Sequence, residues 1–177
     1  MLTFTAALVV ALLSLVYQLT LEPIEINNRK AQTAAKNEIL SEADDFIEIP
    51  TDGSGSITKI FEGVKDGRVL GYIIEITTRE SYNDSIDLMV GISSDRQEVT
   101  GVRIIKHSET PGLGAVIANH NFYDKFDNIK LVPLTVVKTA PGENEIDAIA
   151  GATISTRAVT NSVNQAIEWY LSRGNDE

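Results

Sequence analysis

The first side-chain charge in this sequence is Glu22. Residues 1–21 carry none, and within Leu2–Tyr17 only Thr3, Thr5 and Ser14, with the amphipathic Tyr17, interrupt the apolar run. As a helix, a stretch of that length extends about 31 Å at about 1.5 Å per residue, close to the hydrocarbon thickness of a bilayer. Residues 1–21 are therefore read as an uncleaved transmembrane anchor, with the lipid bilayer as its surroundings. A secretory signal is the competing reading. Against it stand the lack of a basic start and of a small-x-small cleavage site after the run. A buried core helix is the plain alternative. Arg29, Lys30 and Lys36 come after the span, so the positive-inside rule taken alone would leave the remainder in the cytoplasm.

Beyond the anchor there is room for one domain with a real core, because the whole chain is 177 residues long. Apolar residues at 43% and charged residues at 23% are ordinary for a globular protein, which excludes disorder, collagen and coiled coil as readings of the whole. With 15 basic and 25 acidic side chains the net charge is -10, so nucleic acid is not an expected partner. Cysteine is absent. That removes disulfides, thiol nucleophiles, Cys-ligated zinc and protein-ligated iron–sulfur clusters. Histidine occurs only as His107 and His120, so no three-His centre can form, and no metal site is expected. Redox chemistry here has to come from an organic cofactor or a partner.

Pro23 is expected to close the apolar segment, and residues 22–49 to form a stalk or linker with a helix over 27–41. Residues 50–56, PTDGSGS, read as loop. Their GSG is no dinucleotide fingerprint, because the third glycine is missing and the strand comes after it. The domain is placed at 50–177. Ile57–Val64 and Arg68–Thr77 flank Lys65-Asp66-Gly67 and predict a β-hairpin. Arg79–Ser85 is a loop, and Ile86–Ile92 with Glu98–Lys106 a second strand pair. His107–Gly114 is turn-rich, Ala115–Phe126 is expected to be helical, and Leu131–Lys138 is an edge strand broken by Pro133. Ser155–Ser172 is the clearest helix: Ala158, Val159, Ser162, Val163, Ala166, Ile167, Tyr170 and Leu171 repeat at i, i+3, i+4. Ser155 or Thr156 is its expected cap, and Gly174 lies just past its end. Hairpins with segregated helices predict an α+β domain on an antiparallel sheet with flanking helices.

Two stretches are able to carry chemistry. In residues 147–156, DAIAGATIST, Gly151 and Ala152 leave almost no bulk beside Thr153, just ahead of the long helix. A helix start presents unpaired N–H groups and the positive end of its dipole, which suits a phosphate. Asp147, six residues earlier, would present the loop or recruit a metal. The alternative is ordinary helix capping. In residues 107–114, HSETPGLG, Pro111 fixes φ, and Gly112 and Gly114 permit backbone that other residues do not reach. Such a loop approaches a planar ligand closely, with Glu109 and Thr110 as polar contacts and Leu113 as an apolar one. The alternative is a rigid turn. His107 alone is given no proton-transfer role.

ETPGLG at 109–114 and GAT at 151–153, in that order, resemble the FMN-binding domain of membrane electron-transport proteins. The similarity is greatest to the G subunit of the Rnf (Rsx) electron transport complex, whose sister is the C subunit of the Na⁺-translocating NADH:quinone oxidoreductase. It extends over the N-terminal anchor, Gly71-Tyr72, the Tyr82–Ile86 loop and Leu88–Gly91. The resemblance implies covalent FMN, joined through its phosphate to the hydroxyl of Thr153 by a flavin transferase that uses FAD. Asp147, Gly151 and Ala152 fall in the segment matching the recognised motif. Tyr82, Glu109, Thr110, Pro111, Gly112, Leu113 and Gly114 match segments lining the flavin. The family usually has Ser or Thr where this chain has Ala150, and a Gly turn where it has Arg96-Gln97. The resemblance also implies a translocase component that relays electrons without a complete active site of its own. Its expected partners are other membrane and iron–sulfur or flavin subunits. Its expected place is the cytoplasmic membrane, as a single pass with the domain on the extracytoplasmic side. The C subunit of a quinone oxidoreductase, a non-covalent FMN-binding module and an assembly component without flavin remain the other readings.

Overall fold

A computed structural model describes residues 2–51, 55–95 and 97–173. The chain divides into two compact units, Met1–Ala34 and Ala35–Glu177. The first consists of most of α1, a helix over Leu2–Ile39 whose apolar side chains from Leu2 to Ile26 are exposed. Among the described residues it is the one helix long and apolar enough to cross a membrane. Pro23 does not close it but sits inside it. A proline removes one helical hydrogen bond, at about 3 kcal/mol in a helix interior. Here long helix-forming stretches on both sides carry the helix through. The helix expected over 27–41 is thus the continuation of α1.

The second unit opens with the last turn of α1, from Ala35, and then β1 (Asp45–Ile49), a strand within the stretch read as linker. Next come β2 (Ile57–Lys65), β3 (Arg68–Thr78), β4 (Ile86–Ser93), β5 (Glu98–His107) and the short β6 (Ile129–Lys130). These six strands pair in sequence order, every neighbour antiparallel. The first hairpin forms as its Asp-Gly predicts: Asp66 and Gly67 both have positive φ, 50° and 75°, as a two-residue turn between twisted strands requires. The tip of the second strand pair includes Arg96, and the loop at 50–56 includes residues 52–54, all outside the described residues.

Between β5 and β6 the single helix expected at 115–126 is instead three short turns. A 3-10 turn at Gly114–Ala118 is followed by α2 (His120–Tyr123) and a second 3-10 turn at Asp124–Phe126. Asn119, extended at φ -93° and ψ 146°, divides them. The aromatic residues still turn inward, with Phe122 and Phe126 almost wholly buried. The strand expected at 131–138 shrinks to β7 (Thr135–Val137), which pairs in parallel with β8 (Glu145–Asp147) in a separate two-stranded sheet. Pro133 lacks a donor, and both backbone groups of Leu134 are taken by one side chain. Asn164 donates to the Leu134 carbonyl at 2.9 Å and accepts from its N–H at 2.8 Å.

The last helix, α3 (Thr153–Arg173), covers one face of the large sheet with the predicted stripe, buried from Ala158 to Ile167. Leu171, at its far end, is exposed, and Gly174 lies outside the described residues. Side chains alternate across the pleat. Ile74, Ile76, Leu88 and Val90 meet α3 and Phe122, while Phe61, Ile73 and Met89 on the reverse meet Ala35, Ile39 and Leu40.

Candidate functional site

Residues 108–113 leave β5 and turn at once. The amide of Leu113 donates to the Thr110 carbonyl at 3.1 Å, with Pro111 second and Gly112 third in the turn at φ +77°. That is the pattern of a type II turn, whose third residue requires positive φ. A Cβ on Gly112 would touch nothing within 4 Å, so its glycine is required by conformation. Gly114 is different. It has no positive φ, and a Cβ there would stand 2.0 Å from Glu109 Oε2 and 2.8 Å from Ser155 Oγ. Backbone freedom was the expectation for Gly114; its actual contribution is space.

The second stretch approaches from β8. The Ala152 amide donates to the Ile149 carbonyl at 2.9 Å, Gly151 takes φ +76°, and the first helical bond runs from the Thr156 amide to Ala152 at 3.0 Å. Thr153 is therefore the first residue of α3 rather than a residue two before its cap. Ser155 and Thr156 lie inside the helix. Thr156 folds the approach back onto it, accepting from the Ile149 N–H at 3.1 Å and donating to Ala152 O at 3.0 Å. The amides of Thr153, Ile154 and Ser155 precede the first helical bond and point out of the helix start.

The two stretches meet. Leu113 lies over Gly151, where a Cβ would be 3.1 Å from Leu113 Cδ2. Ser155 Oγ donates to Glu109 Oε2 at 2.8 Å, with both residues buried. The Arg79–Ser85 loop joins them: the Tyr82 N–H donates to Glu109 Oε1 at 3.1 Å, and Asn83 donates to the Ser108 carbonyl at 2.9 Å. Together they enclose a cavity of about 500 Å³ lined by Tyr82, Glu109, Thr110, Leu113, Gly114 and residues 151–155. Its rim carries three exposed apolar side chains, Tyr82 at 68%, Leu113 at 47% and Ile154 at 50%. Thr153 is half-buried there.

Eight of the eleven residues singled out from sequence line this cavity; Pro111, Gly112 and Asp147 do not. Pro111 and Gly112 shape the turn from behind. Asp147, at the end of β8, pairs with Lys125 at 2.6 Å, the two side chains being about a third exposed. No cluster of three metal-ligating side chains occurs among the described residues. Ile154 and Ser155 line the cavity and were not singled out. Ile154 had a signal: it falls on the face of α3 shared with Arg157 and Asn161, where an isoleucine has no core to join. Ser155 had none, since its partner is 46 residues away in sequence.

The volume lies within the range of small-molecule sites, about 300–1,000 Å³. One wall is a helix start with a free hydroxyl and outward amides, which suits a phosphate monoester. The other is an apolar rim, which suits the face of a planar ring. The residues present therefore fit a flavin mononucleotide. A second cavity, about 180 Å³ and lined in part by Glu38, Ser41, Glu42, Ser93, Asp95 and Thr100, is too small for one.

Residues 81–168 match the FMN-binding domain family, a span that includes every residue lining the site. The chain is 35% identical to the G subunit of the ion-translocating oxidoreductase complex of Methanosarcina acetivorans, over 95% of this chain and 90% of that protein. It is 35% identical to the G subunit of the Na⁺-translocating ferredoxin:NAD⁺ oxidoreductase complex of Acetobacterium woodii, over 93% and 86%. The crystal structure of the C subunit of the Na⁺-translocating NADH-quinone reductase of Parabacteroides distasonis shares the fold, with a TM-score of 0.62 over 85% of this chain and 95% of that one at 18% identity. The protein is thus of the FMN-binding-domain class. It belongs to the family of G subunits of ion-translocating oxidoreductase complexes.

Proposed function

We propose that this chain is the membrane-anchored flavoprotein component of an Rnf-type ion-translocating ferredoxin:NAD oxidoreductase complex. FMN is held in the cavity between the 109–114 turn and the start of α3, through a phosphoester to Thr153. The observation that carries the reading is the convergence of these two stretches on one cavity with Thr153 on its wall. Three hydroxyl side chains sit in the first turn of α3. Ser155 is committed to Glu109, and Thr156 to Ile149 and Ala152, which leaves Thr153 for the acceptor role.

Attachment would replace the Thr153 O–H bond with a bond from its oxygen to the flavin-side phosphorus of FAD, the diphosphate bridge breaking so that AMP and the proton leave; a separate flavin transferase would carry this out. When bound, the flavin supplies one- or two-electron redox chemistry. The chain's own part is to hold it. The outward amides of residues 153–155 would hold the phosphate, the Thr153 ester would fix one end, and Tyr82, Leu113 and Ile154 would shield the ring from water. Asp147, braced by Lys125, steadies the approach to Gly151. The remaining electron carriers and the NAD site belong to partner subunits. α1 supplies a single pass through the cytoplasmic membrane, with the domain on the extracytoplasmic side.

The test is to express the full chain with a flavin transferase, denature it in SDS and view the gel under ultraviolet light. A fluorescent band that disappears in Thr153→Val is expected, since valine keeps the shape and removes the oxygen. Fluorescence retained on denatured Thr153→Val would reject the acceptor. Flavin bound natively but lost on denaturation would leave the non-covalent reading.

A further inference from the structure

Glu109 is buried at 6% exposure, yet it lies in a loop on the wall of an open cavity. A buried carboxylate is costly unless its oxygens are hydrogen-bonded. Both are. Oε1 accepts from the Tyr82 N–H of the 79–85 loop, and Oε2 accepts from Ser155 Oγ in the first turn of α3. Its own N–H donates to His107 Nδ1 at 3.2 Å. Three separate chain segments are therefore joined through one side chain. The neighbouring sequence makes room for it: a Cβ on Gly114 would occupy the place of Oε2. Ser155 is 1% exposed.

We infer that Glu109 is the positioning residue of this site, a two-armed clip that sets the spacing between Tyr82 and the start of α3 before any ligand enters. The clip's consequence for a ligand rests on the flavin reading; its geometry does not. With the clip closed, the rim formed by Tyr82, Leu113 and Ile154 stands at a fixed distance from Thr153. A ligand tethered to Thr153 then has one orientation. With the clip open, the tether survives but the ring is no longer held.

The experiment compares Glu109→Ala, Glu109→Gln and Ser155→Ala in the full chain in detergent. The first readout needs no flavin: hydrogen exchange at the Tyr82 amide in chain expressed without transferase. Exchange should accelerate in Glu109→Ala and remain slow in Glu109→Gln, whose amide oxygen still accepts from Tyr82 while its NH₂ donates to Ser155. The second readout is visible circular dichroism per covalently bound flavin after co-expression with the transferase. Glu109→Ala should lose most of the signal while keeping the flavin bound after denaturation, and Glu109→Gln should retain it. Ser155→Ala should lose part, and the double variant no more than Glu109→Ala, because that arm is already open. Unchanged exchange at Tyr82 in Glu109→Ala would overturn the clip, as would Glu109→Gln behaving like Glu109→Ala. If Glu109→Ala does not fold, Ser155→Ala alone decides, and a wild-type signal there overturns the clip. A wild-type chain without flavin but with the expected exchange pattern would sink the flavin reading and leave the clip standing.

Discussion

The two faces of the large sheet are closed by different means. On one, α3 and the 114–126 segment supply a continuous apolar layer, with Val159, Val163, Ala166, Phe122 and Phe126 against the isoleucines and valines of β2–β5. On the other, a smaller apolar cluster sets Ala35 and Ile39 at the end of α1, with Leu40 just after it, over Phe61, Ile73 and Met89, and partly buried Ala43, Phe46, Leu70 and Ile105 pack around them. Charged groups complete it. Lys36 Nζ sits 3.0 Å from the centroid of the Phe61 ring, and Arg103 Nε donates to Glu38 Oε2 at 2.8 Å. Burial pushes the Lys36 ammonium down and the Glu75 carboxyl up from their ordinary values, each partly offset by the other's charge. The first face is thus a core, and it is also the face whose helix begins at Thr153. The second is a mount for the helix that leads to the apolar segment. The candidate site is built at the start of the helix that covers the first face.

Outside the site, the heaviest loss is expected on the first face. Phe122→Ala removes a ring that is 1% exposed and packs edge-on against Phe126 at 5.6 Å. A loss of about 3–5 kcal/mol is expected, read as the shift in urea midpoint of the full chain in detergent. Loss below about 1 kcal/mol would mean that this layer is not the core. Ile39→Ala tests the second face. Ile39 is 3% exposed, and its Cγ2 occupies the space that a Cβ on Gly91 would fill. The expected loss is smaller, about 2 kcal/mol, the low end for such truncations. The pair should be additive within about 0.5 kcal/mol, since they share no cluster. An Ile39→Ala cost equal to that of Phe122→Ala would erase the distinction between core and mount.

Legibility in the sequence tracks the range of the interactions. The Asp66-Gly67 hairpin and the α3 stripe are local patterns; the hairpin formed as read, and the stripe is buried from Ala158 to Ile167 though not at Leu171. The turn at 109–114 and the small-residue approach to the helix start at 151–153 were legible because proline, glycine and small residues act locally. Contacts between distant segments were not. The anchoring of Leu134 by Asn164 turned an expected edge strand into a tethered loop. The commitment of Ser155 to Glu109 made an apparent helix cap into one arm of a clip. The helix over 115–126 failed at Asn119, where a single extended residue outweighed a suitable composition. The passage of α1 through Pro23 went the other way: a helix with enough residues on each side absorbs one missing hydrogen bond.

The slightest effect expected is a pH dependence on the mount's charged edge, where Asp127 stands. Its Oδ1 is buried without a hydrogen-bond partner, and Arg103 Nη1 stands 3.7 Å away, beyond bonding distance. Burial raises its carboxyl above the usual 3.8, and the attraction of Arg103 offsets only part of this. A carboxyl raised in the folded state holds its proton more firmly there than when unfolded. Its contribution to stability is fully present below about pH 3.8 and is lost as pH rises through the folded value. At neutral pH the ionised group therefore costs stability. Asp127→Asn should be slightly more stable than wild type at pH 7, by under about 1 kcal/mol given the group's partial exposure. That advantage should shrink as pH falls through the raised folded value towards the usual 3.8. The measurement is the melting temperature of both proteins across that range. Phe122→Ala, which removes a ring that does not itself titrate, should show a constant offset over the same interval. An Asp127→Asn advantage that grows towards acid would reverse the sign, and would mean that the Arg103 pair stabilises the edge more than burial costs it.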